Sequence, residues 1–208
     1  MKRTLLLIVA CVFAIASAHA QSSEVEATTQ LTKAEQFKMK NSFIKETTIY
    51  EDKKSGMKLY AKLFTDLKSS DQLVALEFWP TFMGQKALAA IGVKAPLGYL
   101  DMDKVDDLLL ALDTILNEHN NAAKSDSFTI TYTAPGGIDL FFTTELTTSA
   151  FGGPGTIIFR KKWFKSNEYG EQTAVYSEST TMCSIANLPK LISCIKEAQT
   201  IAKQSLGK

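Results

Sequence analysis

Histidine, cysteine and proline are scarce in this chain: its 208 residues hold two, three and five of them. One histidine and one cysteine fall in the first 20 residues, so His119, Cys183 and Cys194 are the whole supply beyond them. A Cys/His zinc site has almost no ligands to draw on, and no CxxC, HExxH or GxSxG motif occurs, so the commonest hydrolase and metal mechanisms lack their usual parts. Glycines gather in "PGG" (135–137) and "FGGPG" (151–155), between strand patterns and not ahead of helices. They read as turns, not as a cradle for phosphate. An excess of either charge is missing too, with 23 basic against 22 acidic residues.

What is present begins with an export signal. Lys2 and Arg3 precede the apolar run "TLLLIVACVFAIAS", and Ala18-His19-Ala20 supplies the small residues a signal peptidase needs before Gln21. The run has roughly 14 residues where a membrane anchor needs about 20. Cys11 sits inside it, too early for a lipobox. Residues 1–20 are therefore read as a signal peptide cleaved after Ala20, placing the mature protein outside the cytoplasm, periplasmic or secreted from a bacterium. Losing Lys2 and Arg3 leaves 21 basic and 22 acidic residues, a charge of −1. That balance argues against a protein whose main work is neutralising phosphates. No later run approaches a spanning length, so the mature form is expected to be soluble.

Residues 21–40, "QSSEVEATTQLTKAEQFKMK", are polar and weakly periodic, and read as a mobile arm or marginal helix. Alternation then marks strands in "SFIKETTIY", "GMKLYAKLFTDL" and "DQLVALEFW", with a short fourth around Leu97 to Leu100. "LDMDKVDDLLLAL" follows. Turning 100° per residue from Met102, the side chains of Val105, Leu108, Leu109, Leu112, Ile115 and Leu116 share an arc of about 140°, one buried face. Burying those seven contributes roughly 10 to 15 kcal/mol as an upper estimate, well above capping or propensity.

The cycle then restarts. "FTITYTA" and "IDLFFTTEL" alternate, "TIIFRKKWF" runs on, "EQTAVYSESTTM" leads to the second helix, and "CSIANLPKLISCI" repeats the helical frame at an offset of 83. Gly56 to Tyr60 matches Gly137 to Phe141 at 81, and Leu73, Val74 and Trp79 match Ile157, Ile158 and Trp163 at 84. Pro189 makes Asn187 the better cap for the second helix, after a tighter lead-in over 184–187. The fold class is α+β, a tandem duplication of a four-stranded antiparallel meander plus one helix, over 41–120 and 121–208. Each helix is expected to shelter the open face of its own meander; whether the two sheets pair or stack stays open. Cys183 and Cys194, separated by about ten helical residues and so by roughly 15 Å, are too far apart for a bridge, which needs about 7 Å. They read as buried free thiols.

Four strands and a helix, written twice, resemble in topology the Whirly type of single-stranded DNA-binding fold. Gln85-Lys86-Ala87-Leu88 is the nearest counterpart of that family's basic "KGKAAL" signature. The resemblance implies single-stranded nucleic acid as one partner class, from which a secreted chain of charge −1 departs.

Candidate site residues are few. Asp101, Asp103, Asp106 and Asp107 lack the glycine and glutamate of a calcium loop and suit the positive end of a helix. His119 suits the opposite pole. "FRKKWFK" interleaves Arg160, Lys162 and Lys165 with Trp163, so it can grip an anionic glycan, lipid head group or single strand by charge and stacking, or else protect an edge strand with lysines. "EFWPTFMG" adds Phe78 and Trp79, core residues unless they are exposed. The reading is a binding protein without catalytic activity, cofactor or metal, whose partner is a protein, glycan or lipid of the cell envelope. The alternatives are an envelope-acting enzyme using carboxylates and a Whirly-like nucleic-acid binder.

Overall fold

The computed structural model describes residues 31–80, 96–123, 127–134, 138–144, 155–166 and 172–207. Residues 1–20, read as a signal peptide, residues 21–30 and the segment holding Gln85 to Leu88 lie outside them. In chain order the elements are α1 (Lys33–Lys40), β1 (Ile44–Glu51), β2 (Lys58–Asp66), β3 (Gln72–Trp79), β4 (Gly98–Asp101), α2 (Val105–Asn121), β5 (Thr129–Thr133), β6 (Ile138–Thr143), β7 (Thr156–Ser166), β8 (Gln172–Ser184) and α3 (Leu188–Leu206). The strands form two separate antiparallel sheets, β1-β2-β3-β4 and β5-β6-β7-β8, each followed by a helix. The chain is α+β with a repeating layout.

Equivalent residues can be read from the hydrogen-bonded pairs. Leu59 stands opposite Phe78, and Leu140 opposite Phe159, so an offset of 81 runs through the second and third strands of both halves. Asp101 and Ser184, opposite Ala75 and Thr156, mark the change to 83 that the helices keep. The offset of 84 for the third strands is thereby corrected: Arg160, not Trp163, answers to Trp79. A shift of three residues turns every side chain to the other face of a sheet. Both third strands are apolar on both faces, so residue type alone did not expose the slip.

A one-turn 3-10 segment leads into each long helix, Met102–Lys104 into α2 and Ile185–Asn187 into α3. Asn187 holds the N-cap position and Pro189 lies in the first turn of α3, where its missing N–H costs nothing.

The helices are exchanged between the sheets. α3 lies along β1, β2 and β3 of the first sheet. α2 packs against β5 of the second, and its His119 ring meets Phe142 of β6 edge-on at 6.0 Å. The expectation that each helix covers its own meander is corrected. An apolar frame specifies that a face must be covered, but two sheets with the same inward pattern satisfy it equally well.

The inner faces of the sheets also meet. Phe78 of β3 stacks on Phe159 of β7, centroids 5.5 Å apart and planes 19° apart. These two rings occupy equivalent positions in the two halves. Close by, a Cβ on Gly98 of β4 would stand 3.5 Å from the Ile138 side chain of β6. One cluster of buried side chains therefore runs through both sheets and both long helices. Cys183 and Cys194 lie within this interior as free thiols.

Residues 33–40, read as an arm or marginal helix, form α1. Thr32 and Glu35 make a capping box, a signal present in the sequence as Thr-x-x-Glu. The Asp101 carboxylate at the end of β4 accepts from the Lys33 and Ala34 amides at 2.8 and 3.2 Å, where a negative charge suits the helix dipole. Ala34 packs on the outer face of the first sheet with Phe64, Ala75 and Tyr99. Lys161 of β7 reaches Glu35 at 2.7 Å, tying α1 to the second sheet as well.

Because the Phe78–Phe159 stack joins the two sheets, Phe78→Ala is expected to cost about 3 to 5 kcal/mol and to leave one cooperative transition. Urea unfolding followed by circular dichroism checks this; a second transition, with one half melting alone, would contradict it.

Candidate functional site

The residues singled out from the sequence are not brought together as one surface. Phe78 is fully buried in the Phe159 stack and cannot touch a partner. Trp79, next along β3, is half-buried on the opposite, outer face. Its indole N–H donates to Glu77 at 2.7 Å, and the Lys62 ammonium stands 3.5 Å from the same carboxylate oxygen. Arg160 is committed as well. Its Nε donates to Asp139 at 3.0 Å, Asp139 is completely buried, and the guanidinium lies 5.1 Å from the centre of the Phe141 ring. Thr133 gives Asp139 a second bond at 2.8 Å. Arg160 anchors a buried carboxylate in the outer face of the second sheet.

Lys162, Trp163 and Lys165 occupy a different setting. β6 reaches β7 only as far as Lys161, the partner of Ile138. Beyond that point, among the described residues, β7 pairs with β8 alone, from Lys162 opposite Tyr176 to Ser166 opposite Gln172. At the root of this ribbon the register slips, with Arg160 opposite Thr180 but Lys162 opposite Tyr176. Four residues of β8 thus span two of β7, a bulge that bends a ribbon and re-aims it. The result is a two-stranded arm of roughly 17 Å at 3.3 Å per residue, with Lys162 and Phe164 at register positions of one face and Trp163 and Lys165 at those of the other. Up to Lys161, β7 is an interior strand, so guarding a sheet edge is not the role of its first basic residues.

A polar cluster that sequence spacing did not reveal joins the β1–β2 turn to α3. The Cys194 thiol donates to Asp52 at 3.2 Å, and Asp52 also accepts from the Lys54 and Ser55 amides at 2.8 and 3.0 Å and closely from the Ser55 hydroxyl. Lys54 pairs with Glu197 at 2.9 Å, and the Tyr50 hydroxyl lies 3.4 Å from the same carboxylate. Tyr50 faces inward because a bulge between Thr48 and Tyr50 shifts the pairing. Burial works against the ionised form of Asp52, yet the bonds from Ser55, Lys54 and Cys194 outweigh it and hold the carboxyl low. Burial and the neighbouring carboxylate push the Cys194 thiol up, and the same two influences raise Cys183 to about 12. Neither sulfur is poised as a thiolate nucleophile. The network is a latch between α3 and the sheet it covers.

The remaining acids go the same way. Asp103 pairs with Lys33 at 2.8 Å, Asp106 accepts from Gln199 of α3, and Asp107 stands 4.0 Å from Lys104. Where a carboxyl departs clearly from its ordinary value, at Asp52, Asp66, Asp103 and Glu197, hydrogen bonding holds it low. That is the direction of a bonded structural carboxylate, whereas a proton donor needs the opposite. Among the described residues no three His, Cys, Asp or Glu side chains group as metal ligands, and no helix is long and apolar enough to cross a membrane. No family model matches the chain, and no characterised protein or solved structure comes out similar to it.

Two outcomes follow from this geometry. Arg160→Ala leaves Asp139 buried beside one hydroxyl, so the protein should lose on the order of 3 kcal/mol in denaturant titration; an unchanged midpoint would show that the pair is not structural. A carboxyl held low in the folded state stabilises it above the unfolded value, near 3.9, and that contribution disappears as pH falls through the lower folded value. Asp52→Asn should therefore flatten the loss of thermal stability on acidification below about pH 4, and a wild-type slope in the variant would argue against the latch.

Proposed function

We propose that this chain is an exported binding protein of the bacterial envelope, without catalytic activity, which takes an anionic glycan on the β7–β8 arm. The observation that carries the reading is the arm itself. Over Lys162 to Lys165, Trp163 and Phe164 lie between two lysines, so the register gives each face of the ribbon one cation and one aromatic position beyond the last described pairing with β6, and that combination suits charged sugar units, which offer carboxylates to lysine and ring faces to tryptophan. Trp79 is a secondary contact candidate; Arg160 holds the base of the arm. Tandem duplication of one β4α unit, followed by divergence of the third strand, accounts for the repeating layout and for an arm in one half alone among the described residues. Residues 1–20 act as the cleaved leader, and edman sequencing of the exported protein should begin at Gln21.

The test is binding to alginate, an acidic polysaccharide, by calorimetry. Replacing Lys162, Trp163 and Lys165 together with alanine should weaken it at least about tenfold with no change in melting temperature, since paired cation and stacking contacts each contribute about a kilocalorie. Unchanged binding rejects this surface. The two sheets with trailing helices favour one second reading, single-stranded nucleic acid in the Whirly manner; a salt-dependent shift with oligo(dT), lost in the same variant, would replace the glycan with that partner.

A further inference from the structure

Of six exposed large apolar side chains among the described residues, four are more than half exposed, Met39 at 76%, Leu110 at 69%, Leu67 at 61% and Phe43 at 58%, while Leu31 and Leu206 are less so. A lone exposed leucine such as Leu110 on α2 is ordinary. The other three share one end of the first sheet. The Leu67 amide donates to the Phe43 carbonyl at 2.9 Å, tying the β2–β3 turn to the link before β1. Lys38 brings the last turn of α1 to the same strands, pairing with Glu46 of β1 at 2.7 Å and lying 5.5 Å from the centre of the Phe64 ring of β2. Met39 and Lys40 follow it directly.

The charges around this apolar tip are unbalanced. Lys68 lies 4.8 Å from the centre of the Phe43 ring, and Lys40 and Lys45 flank the link in sequence. Of the nearby acids, Asp66 is buried and spent on the Lys68 amide and the Ser69 hydroxyl at 2.9 and 3.0 Å, and Glu46 is paired with Lys38. Asp66 still acts on the Lys68 charge, so among the described residues Lys38, Lys40, Lys45 and Lys68 stand against Glu46, Asp66 and Asp71, an excess of one positive charge.

We propose that this end of the first sheet is a docking tip for an anionic lipid surface, with Met39, Phe43 and Leu67 entering the head-group boundary and Lys40, Lys45 and Lys68 meeting the lipid charge. Three side chains are too small a patch for a stable protein interface, which takes about 800 Å² from each partner. A membrane asks only for a few apolar groups with cations beside them. The tip is separate from the β7–β8 arm and does not depend on what the arm binds.

The chain from Gln21 onward, without its apolar leader, is sedimented with phosphatidylethanolamine–phosphatidylglycerol vesicles and with phosphatidylcholine vesicles. Partitioning should favour the anionic vesicles at least about tenfold and fall as salt is raised, with lysine contacts contributing about fivefold each. Phe43→Ser with Leu67→Ser should lower it at least about tenfold, and Lys40→Gln with Lys68→Gln should abolish the preference for anionic lipid. Leu110→Ser should partition as the wild type does. Equal partitioning into both vesicle types, wild-type binding by the Phe43/Leu67 variant, or an equal loss in Leu110→Ser would overturn the proposal. So would size-exclusion chromatography showing a wild-type dimer that the Phe43/Leu67 variant dissolves, because the tip would then join two copies of the chain.

Discussion

An amphipathic helix that trails a sheet has two ways to bury its apolar side: it can fold back on the strands it has just left, or cross to another sheet that offers the same inward pattern. Here both long helices cross. α3 lies on the first sheet and α2 on the second, and the rest of the molecule depends on that exchange. Neither meander can be covered without the other half of the chain, so the core has to be continuous. The Phe78–Phe159 stack, two equivalent rings meeting face to face, follows from the same geometry. The latch from Asp52 to Cys194, and the Lys54–Glu197 pair beside it, hold the first sheet to a helix more than a hundred residues away in sequence.

The exchange also bears on where function can reside. Inner faces, long helices and most acids are consumed by covering and latching, which leaves the periphery. There the two halves differ. The first carries α1 on its outer face, pinned by Asp101 and Lys161, and an apolar, lysine-flanked tip at the far end. The second extends β7 and β8 past β6 into the arm. A stable paired scaffold bearing unlike additions on its rim is an economical design for binding, since each addition can change without disturbing the core.

Much of the scaffold was legible from residue pattern. Strand-like runs between turn residues located the eight described strands, the fourth of them only by its place after helix breakers, the 3.6-residue frame located both long helices, and Pro189 forced the correct cap at Asn187. What escaped was relational. A helical face names its need for a cover and not the sheet that meets it, so the exchange was invisible. Apolar residues on both faces of β3 and β7 hid a three-residue slip that only the pairing of Leu59 with Phe78 and Leu140 with Phe159 reveals. Of the candidate site, "FRKKWFK" was correctly marked as unusual in composition, yet nothing in it separates Arg160, bonded to a buried aspartate 21 residues earlier, from Lys162 two places on. α1 was left between a mobile arm and a marginal helix although Thr32 and Glu35 carry its signal, because its low apolar content outweighed a capping motif.

The exchange of helices is tested most directly by nuclear Overhauser contacts in the intact protein between α3 and the β1–β2 turn. The account expects cross-peaks from the Tyr50 ring and the Ser55 side chain to Cys194 and Glu197. If those are missing, and α3 instead shows its contacts to the inner residues Leu140 and Ile157 of β6 and β7 with none to β1 and β2, each helix covers its own meander and the account is wrong.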